Sequence, residues 1–371
     1  MTPGRAVAGA LLTAAVLSCA ACSDSRPVEQ RALVLAVGVD PAHRPGAALG
    51  WTFVFSNVTA TASSARTVGN GTEVFSVEVH APDLPTALAR AQGQVTRQIY
   101  LGDLEAVALG LGTPANVAER VVSSIVEMGQ VPDSFLVLAT PDPTARLLTL
   151  NTLQEVIPTY FVTTFLNCSD CHAFALRVRG WRFWADAKTP GLSPVAPILR
   201  ADAGHLALAG VAVYRPGSRP ALRMPPDIAT GLGYLTGTAV AATVSDSADG
   251  RPLTVDHVRD RVSARIRHVS GRIEVALTIH VSGAAVARGG GVPATATEAA
   301  TERLARRVLL RSLAALAWAN RARCDPFGFT TRALLEEPRT AYALKPGRAV
   351  WQPIDAHVTV EAHIRSTGTA A

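Results

Sequence analysis

The chain has 371 residues, 48% of them hydrophobic and 17% charged, with 35 Lys and Arg against 29 Asp and Glu for a formal net charge of +6. A chain of that length holds two or three domains. The excess charge is almost wholly arginine, Lys188 and Lys345 being the only lysines, but it is scattered, and 5% of residues are aromatic. This argues against a nucleic-acid groove; it leaves either a cationic face near a membrane or plain residue usage as its meaning.

Arg5 is followed by an apolar run from Ala6 to Leu17 and then by Ser18-Cys19-Ala20-Ala21-Cys22. The run is too short for a stable bilayer span, and its order of charge, apolar stretch and small residues is that of an export signal over residues 1–21. A cysteine behind two small residues suits cleavage and attachment of diacylglycerol to the thiol. Cys22 is the expected lipidation site and Cys19 the alternative; an ordinary secretory signal with unrelated cysteines is the competing reading. Further along, Val34 to Val39 and Leu313 to Trp318 are interrupted by polar residues too soon to span.

Behind a polar tether, Ser23 to Gln30, the run Ala32 to Val39 reads as a strand buried on both faces. Trp51, Phe53 and Phe55 mark a second strand; Phe75, Val77 and Val79 alternate with polar residues in a third. Asp83 is placed to cap a helix carrying Leu84, Leu88, Ala91 and Val95. A buried strand over Leu104 to Leu109 precedes Thr113-Pro114, a cap with proline at the first helical position, and then Val117, Val121, Ile125 and Met128 at helical spacing. Phe135 to Ala139 is the next strand and Pro143 to Leu150 a short helix. This order predicts an α/β domain over residues 22–200, with Thr189 to Pro197 as a proline-rich link to a second half.

The second half, residues 201–371, opens with a strand at Leu206 to Tyr214 and a turn at Arg215-Pro216-Gly217. Val262, Ala264 and Ile266 pair through Ser270-Gly271 with an alternating strand from Ile273 to Val281. A long helix is expected from Thr295, with Glu298 completing a capping box and Leu304, Val308, Leu309, Leu313 and Leu316 facing inward. A last strand turns Val358, Val360, Ala362 and Ile364 to one side. Strands, helix and strand make an α+β domain, open to division into two subdomains, so the fold class is mixed α/β and α+β with packed helices.

The chain resembles the Ger(x)C family, the lipoprotein C subunits of spore germinant receptors. Cys22-Ser23-Asp24-Ser25-Arg26 leading to Leu33-Val34-Leu35-Ala36-Val37-Gly38-Val39-Asp40 is similar to the family's lipidated start and its Gly-x-Asp strand, with Ser23 where tryptophan is usual. Gly210 to Tyr214, Gly231 to Gly237 and the tail Asp325-Pro326-Phe327-Gly328-Phe329, Pro338 and Trp351 resemble its second half. The resemblance implies a non-catalytic subunit without cofactor, held by acylated Cys22 on the outer face of the cytoplasmic membrane, the spore inner membrane. Its partners would be an integral-membrane A subunit and a transporter-like B subunit. An exported lipoprotein holding a small solute between its halves is the alternative.

Cys168-Ser169-Asp170-Cys171-His172 has the C-x-x-C-H spacing of covalent haem attachment. In an oxidising compartment Cys168 and Cys171 can instead form a disulfide, or remain thiols; with Cys324 they could contribute to a zinc site. Asp325 is expected to cap a turn and Phe327 to pack, both also being candidate partner contacts.

Overall fold

The computed structural model describes residues 27, 30–41, 48–57, 74–150, 157–168, 176–202, 205–238, 244–248, 251–269, 272–287, 294–336 and 351–366. Strand β1 (Arg31–Asp40) lies inside a nine-stranded sheet. On one side of it stand β2 (Leu49–Ser56) and β3 (Val74–Ala81), both antiparallel. On the other stand β5 (Ala106–Gly110), β6 (Leu136–Thr140) and β7 (Val195–Asp202), all parallel, while β4 (Gln98–Tyr100) pairs with the start of β1. The central position explains the unbroken apolar run of β1: Val37 and Val39 enter the core on one face and Ala36 the core on the other.

Helices cover both faces. On one pack α1 (Leu84–Gln92), α2 (Ala115–Val126) and α5 (Gly180–Lys188), through Leu84, Ala87, Val121, Ile125 and Phe183. On the other lie α3 (Thr144–Leu148) and α4 (Pro158–Asn167), through Leu147, Phe161 and Leu166. Asp83 caps α1 as expected, accepting the Thr86 N–H at 2.8 Å, and those bonds hold its carboxyl below the usual range. Val95 lies beyond the end of that helix.

The start of α2 differs from expectation. Pro114 is itself the cap residue, and the buried Thr113 hydroxyl makes no hydrogen bond. The open N–H groups of Ala115 and Asn116 donate instead to the carbonyls of Arg219, at 2.9 Å, and Gly217, at 3.0 Å. A turn a hundred residues downstream thus does the work of a side-chain cap.

The expected link, Thr189 to Pro197, runs from the end of α5 into the next strand. Its last residues, Val195-Ala196-Pro197, already belong to β7, with an irregularity in register just after Pro197. Next, β8 (His205–Val213) and β9 (Leu222–Met224) extend the same sheet antiparallel. The boundary anticipated between residues 200 and 201 therefore falls inside a strand. Moreover, β8 serves two cores: Ala212, with the adjoining Tyr214, packs under α2 and α5, whereas Val211 and Val213 join the core of the second half.

That second half is built on a four-stranded sheet in the order β10 (Val244–Ala248), β11 (Arg251–Val269), β12 (Arg272–Ala287), β13 (Ile354–Ser366). The β11–β12 hairpin is antiparallel, and β13 lies parallel to β12 after a crossover through α7 (Ala294–Ala322). Ile273, Val275, Leu277, Ile279 and Val281 point under α7, as their alternation requires. The long helix begins at Ala294, so Thr295 sits within its first turn. Leu304, Val308 and Leu316 are buried as expected, but Leu313 is 40% exposed, because Ser312 and Ala315 occupy the inward stripe there.

Helix α6 (Pro226–Thr236) crosses α7 where Gly231 meets it: a Cβ on Gly231 would lie 2.1 Å from the Arg311 carbonyl oxygen. Gly237 closes α6 in the left-handed conformation, φ 67°. These contacts give the Gly231-to-Gly237 segment its physical reason. Helix α8 (Phe329–Glu336) completes the cover of the sheet.

Candidate functional site

At the end of β1, Gly38 and Asp40 address one residue. The Asp40 carboxylate accepts the Thr144 hydroxyl at 2.8 Å and the Thr144 N–H at 3.2 Å, pinning the start of α3. A Cβ on Gly38 would stand 2.3 Å from that hydroxyl oxygen, so glycine makes the approach feasible. Beyond them, at the carboxyl ends of β1, β5 and β6, opens a cleft of about 460 Å³ bordered by Asp40, Glu78, His80 and Asp142. This is where open α/β sheets bind ligands. Here, however, Asp40 holds Thr144 and Asp142 accepts the Ala201 N–H at 2.8 Å, so both carboxylates are tied to structure.

The second site is the junction of the halves. Asp325 is 1% exposed and its carboxylate accepts three backbone N–H groups: Phe327 at 3.1 Å, Gly328 at 3.0 Å and Thr330 at 2.6 Å. It caps the start of α8, while burial pushes its carboxyl above the ordinary range, an effect the N–H bonds only partly oppose. The same residue clasps the first half: its N–H donates to Ser193 Oγ at 3.2 Å and its carbonyl accepts the Ser193 N–H at 3.0 Å. Phe327 is 7% exposed and stacks on Phe329, ring centroids 5.2 Å apart. In the single chain both side chains of the expected partner contact, Asp325 and Phe327, are buried and engaged inside the fold. Ser193 and Thr144 carry no sequence motif of their own and gain meaning only from partners more than a hundred residues away.

Of the cysteines, Cys19, Cys22 and Cys171 lie outside the described residues, as does His172. Cys168, just past α4, is disulfide-bonded, which removes its thiol from covalent haem attachment. Cys324 is a buried free thiol directed at the Ala319 carbonyl and pushed up to about 12 by burial; it is a packing residue rather than a zinc ligand. Among the described residues no three His, Cys, Asp or Glu side chains are grouped to hold a metal, and no helix is long and apolar enough to cross a membrane. Burial first, then the charge of Asp103, pushes the Glu105 carboxyl up, and burial, then the charges of Glu105 and Asp103, pushes up the Tyr160 hydroxyl on α4.

The molecule is a two-sheet α+β protein whose halves share a strand and a buried clasp. Residues 24–201 match the family model of the spore germination protein N-terminal domain. The crystal structure of the GerBC protein is similar over 89% of this chain and 98% of that one, with a TM-score of 0.55 and 12% identity, a likeness of fold. No curated protein matches the chain. Residues 24–201 thus carry a spore germination protein N-terminal domain, and the chain as a whole has the fold of the GerBC protein.

Proposed function

We propose that this protein is the lipid-anchored, non-catalytic C subunit of a nutrient germinant receptor, assembling with integral-membrane A and B subunits on the outer face of the spore inner membrane. One observation carries the reading: the germination domain begins at Asp24, directly behind the Ala20-Ala21-Cys22 cleavage pattern, so an acyl group on Cys22 would emerge at the domain's first residues. Acyl chains buried at about 0.8 kcal/mol per methylene would hold the domain at the membrane. Confinement there raises its effective concentration toward membrane partners, which turns weak docking into assembly. The clasped architecture suits a scaffold: it presents fixed surfaces on a rigid junction. Cys171, three residues on, is the partner proposed for the disulfide of Cys168.

The test is fractionation of cells producing wild type and Cys22→Ala. Wild type is expected in the membrane fraction together with the A and B subunits, and the variant free of both. Membrane retention of a doubly substituted Cys19→Ala, Cys22→Ala chain at the wild-type level would overturn the lipid anchor.

A further inference from the structure

Between the halves, beside the Ser193–Asp325 clasp, lies a cavity of about 160 Å³ whose walls are crowded with hydrogen-bond donors and cations. Arg215 and Arg219 reach it from the turn that also caps α2, Arg323 from the end of α7, and Trp351 from the approach to β13. The Arg215 guanidinium gives one N–H, from Nη1, to the Ala322 carbonyl at 3.0 Å; its buried Nε has no acceptor. The buried Trp351 Nε1 has none either. Among the described residues, no carboxylate lies within ion-pair reach of Arg215, Arg219 or Arg323. The one acid on the wall, Asp325, turns its oxygens to Phe327, Gly328 and Thr330. Ser193 accepts the Asp325 N–H and keeps its hydroxyl proton to donate.

A second feature points the same way. Arg323 has φ 52°, the only positive φ at a residue other than glycine among those described, in the position after a helix where glycine is the usual occupant. An arginine kept at a glycine position argues that its side chain is needed where the turn puts it. Two buried donors without an acceptor, Arg215 Nε and Trp351 Nε1, on one cavity wall with the exposed guanidinium groups of Arg219 and Arg323, are the complement of an oxyanion, and guanidinium groups match carboxylate or phosphate oxygens two at a time.

We infer that this junction cavity is a binding site for a small phosphate-like oxyanion, held by Arg215, Arg219, Arg323 and the Trp351 indole N–H. Its volume suits an ion of that size and falls below the 300–1,000 Å³ or so of pockets for larger solutes. Because its walls come from both halves, the bound ion would stiffen the junction. The site stands independently of the receptor assignment.

The experiment is calorimetric titration of the full chain with inorganic phosphate at constant ionic strength, chloride making up the balance. Saturable binding is expected, weakened at least tenfold in Arg219→Ala and in Arg323→Gly and unaffected in Arg332→Ala, an exposed arginine of α8 that does not line the cavity. Glycine suits the backbone at position 323, so loss of binding there cannot be misfolding; the thermal transition of each variant checks this directly. A second arm compares wild type and Arg219→Ala on vesicles of phosphatidic acid and of phosphatidylcholine, since a lipid headgroup offers the same oxyanion. Binding of phosphatidic acid that depends on Arg219 identifies the headgroup as the source, whereas phosphate binding alone identifies a free ion. No Arg219-dependent binding in either arm, or variants that bind phosphate like wild type, overturns the proposal.

Discussion

Ser193 and Asp325, 132 residues apart in sequence, hold each other by paired hydrogen bonds: Asp325 N–H to Ser193 Oγ at 3.2 Å, and Ser193 N–H to the Asp325 carbonyl at 3.0 Å. The clasp fixes the segment entering β7 against the turn leaving α7, and the Asp325 carboxylate anchors that turn from within. Asp325→Ala would leave the N–H groups of Phe327, Gly328 and Thr330 buried without an acceptor. A loss of about 3–5 kcal/mol is expected. Asp325→Asn, which keeps one acceptor oxygen, should lose less. Urea denaturation of the three chains checks the ranking.

The same carboxyl gives a pH dependence. Burial raises it above the ordinary value of 3.8, so between that value and the raised one the folded chain binds more protons than the unfolded chain. Asp325 therefore contributes a stability that falls as pH rises through that window and is level above it. Asp325→Asn has no proton to lose. The stability difference, wild type minus Asp325→Asn, should shrink as pH rises from about 4 and then become constant; a difference that instead grows with pH would show a carboxylate stabilised by its N–H partners more than it is penalised by burial.

At the crossing of α6 and α7, Gly231 leaves no room for a side chain against the Arg311 carbonyl. Gly231→Ala must separate the helices and loosen the core beneath them, with an expected cost of about 2–3 kcal/mol. Gly129→Ala, where a Cβ would meet nothing within 4 Å, should cost less. Thermal denaturation of both variants distinguishes close approach from a general effect of replacing glycine.

Thr144→Val keeps the shape of the side chain but removes the 2.8 Å bond to Asp40. Because this bond is to a carboxylate, about 1.5–3 kcal/mol should be lost. Gly38→Ala should do at least as much harm by pressing on the same hydroxyl. In the double variant the costs should not add, since both act on one contact.

Much of the fold is written locally. The unbroken Val34-to-Val39 run announces a central strand, Asp83 the cap of α1, and the alternation from Ile273 to Val281 a one-sided sheet. What the chain conceals is whatever depends on distant partners. Thr113 has the look of a cap, yet the turn at Gly217 to Arg219 takes the open N–H groups; Leu313 has the phase of a core residue, yet smaller neighbours fill the stripe. The link after Thr189 reads as loose because prolines and glycines favour turns, while Pro197 is tolerated at a strand irregularity. Asp325 and Phe327 were legible as a capped, packed turn, but their withdrawal from the surface follows from Ser193 and Phe329 closing over them. No local pattern marks Arg215, Arg219, Arg323 and Trp351 as neighbours; only the shared junction brings them to one cavity.

The most direct test of the receptor-subunit assignment is affinity purification of the tagged chain from detergent-solubilised spore inner membranes, followed by mass spectrometry. The account predicts an amino-terminal peptide beginning at Cys22 with diacylglycerol attached, recovered together with one multi-span A subunit and one transporter-like B subunit. An unmodified amino terminus in the soluble fraction, with no membrane subunit alongside it, would contradict that account.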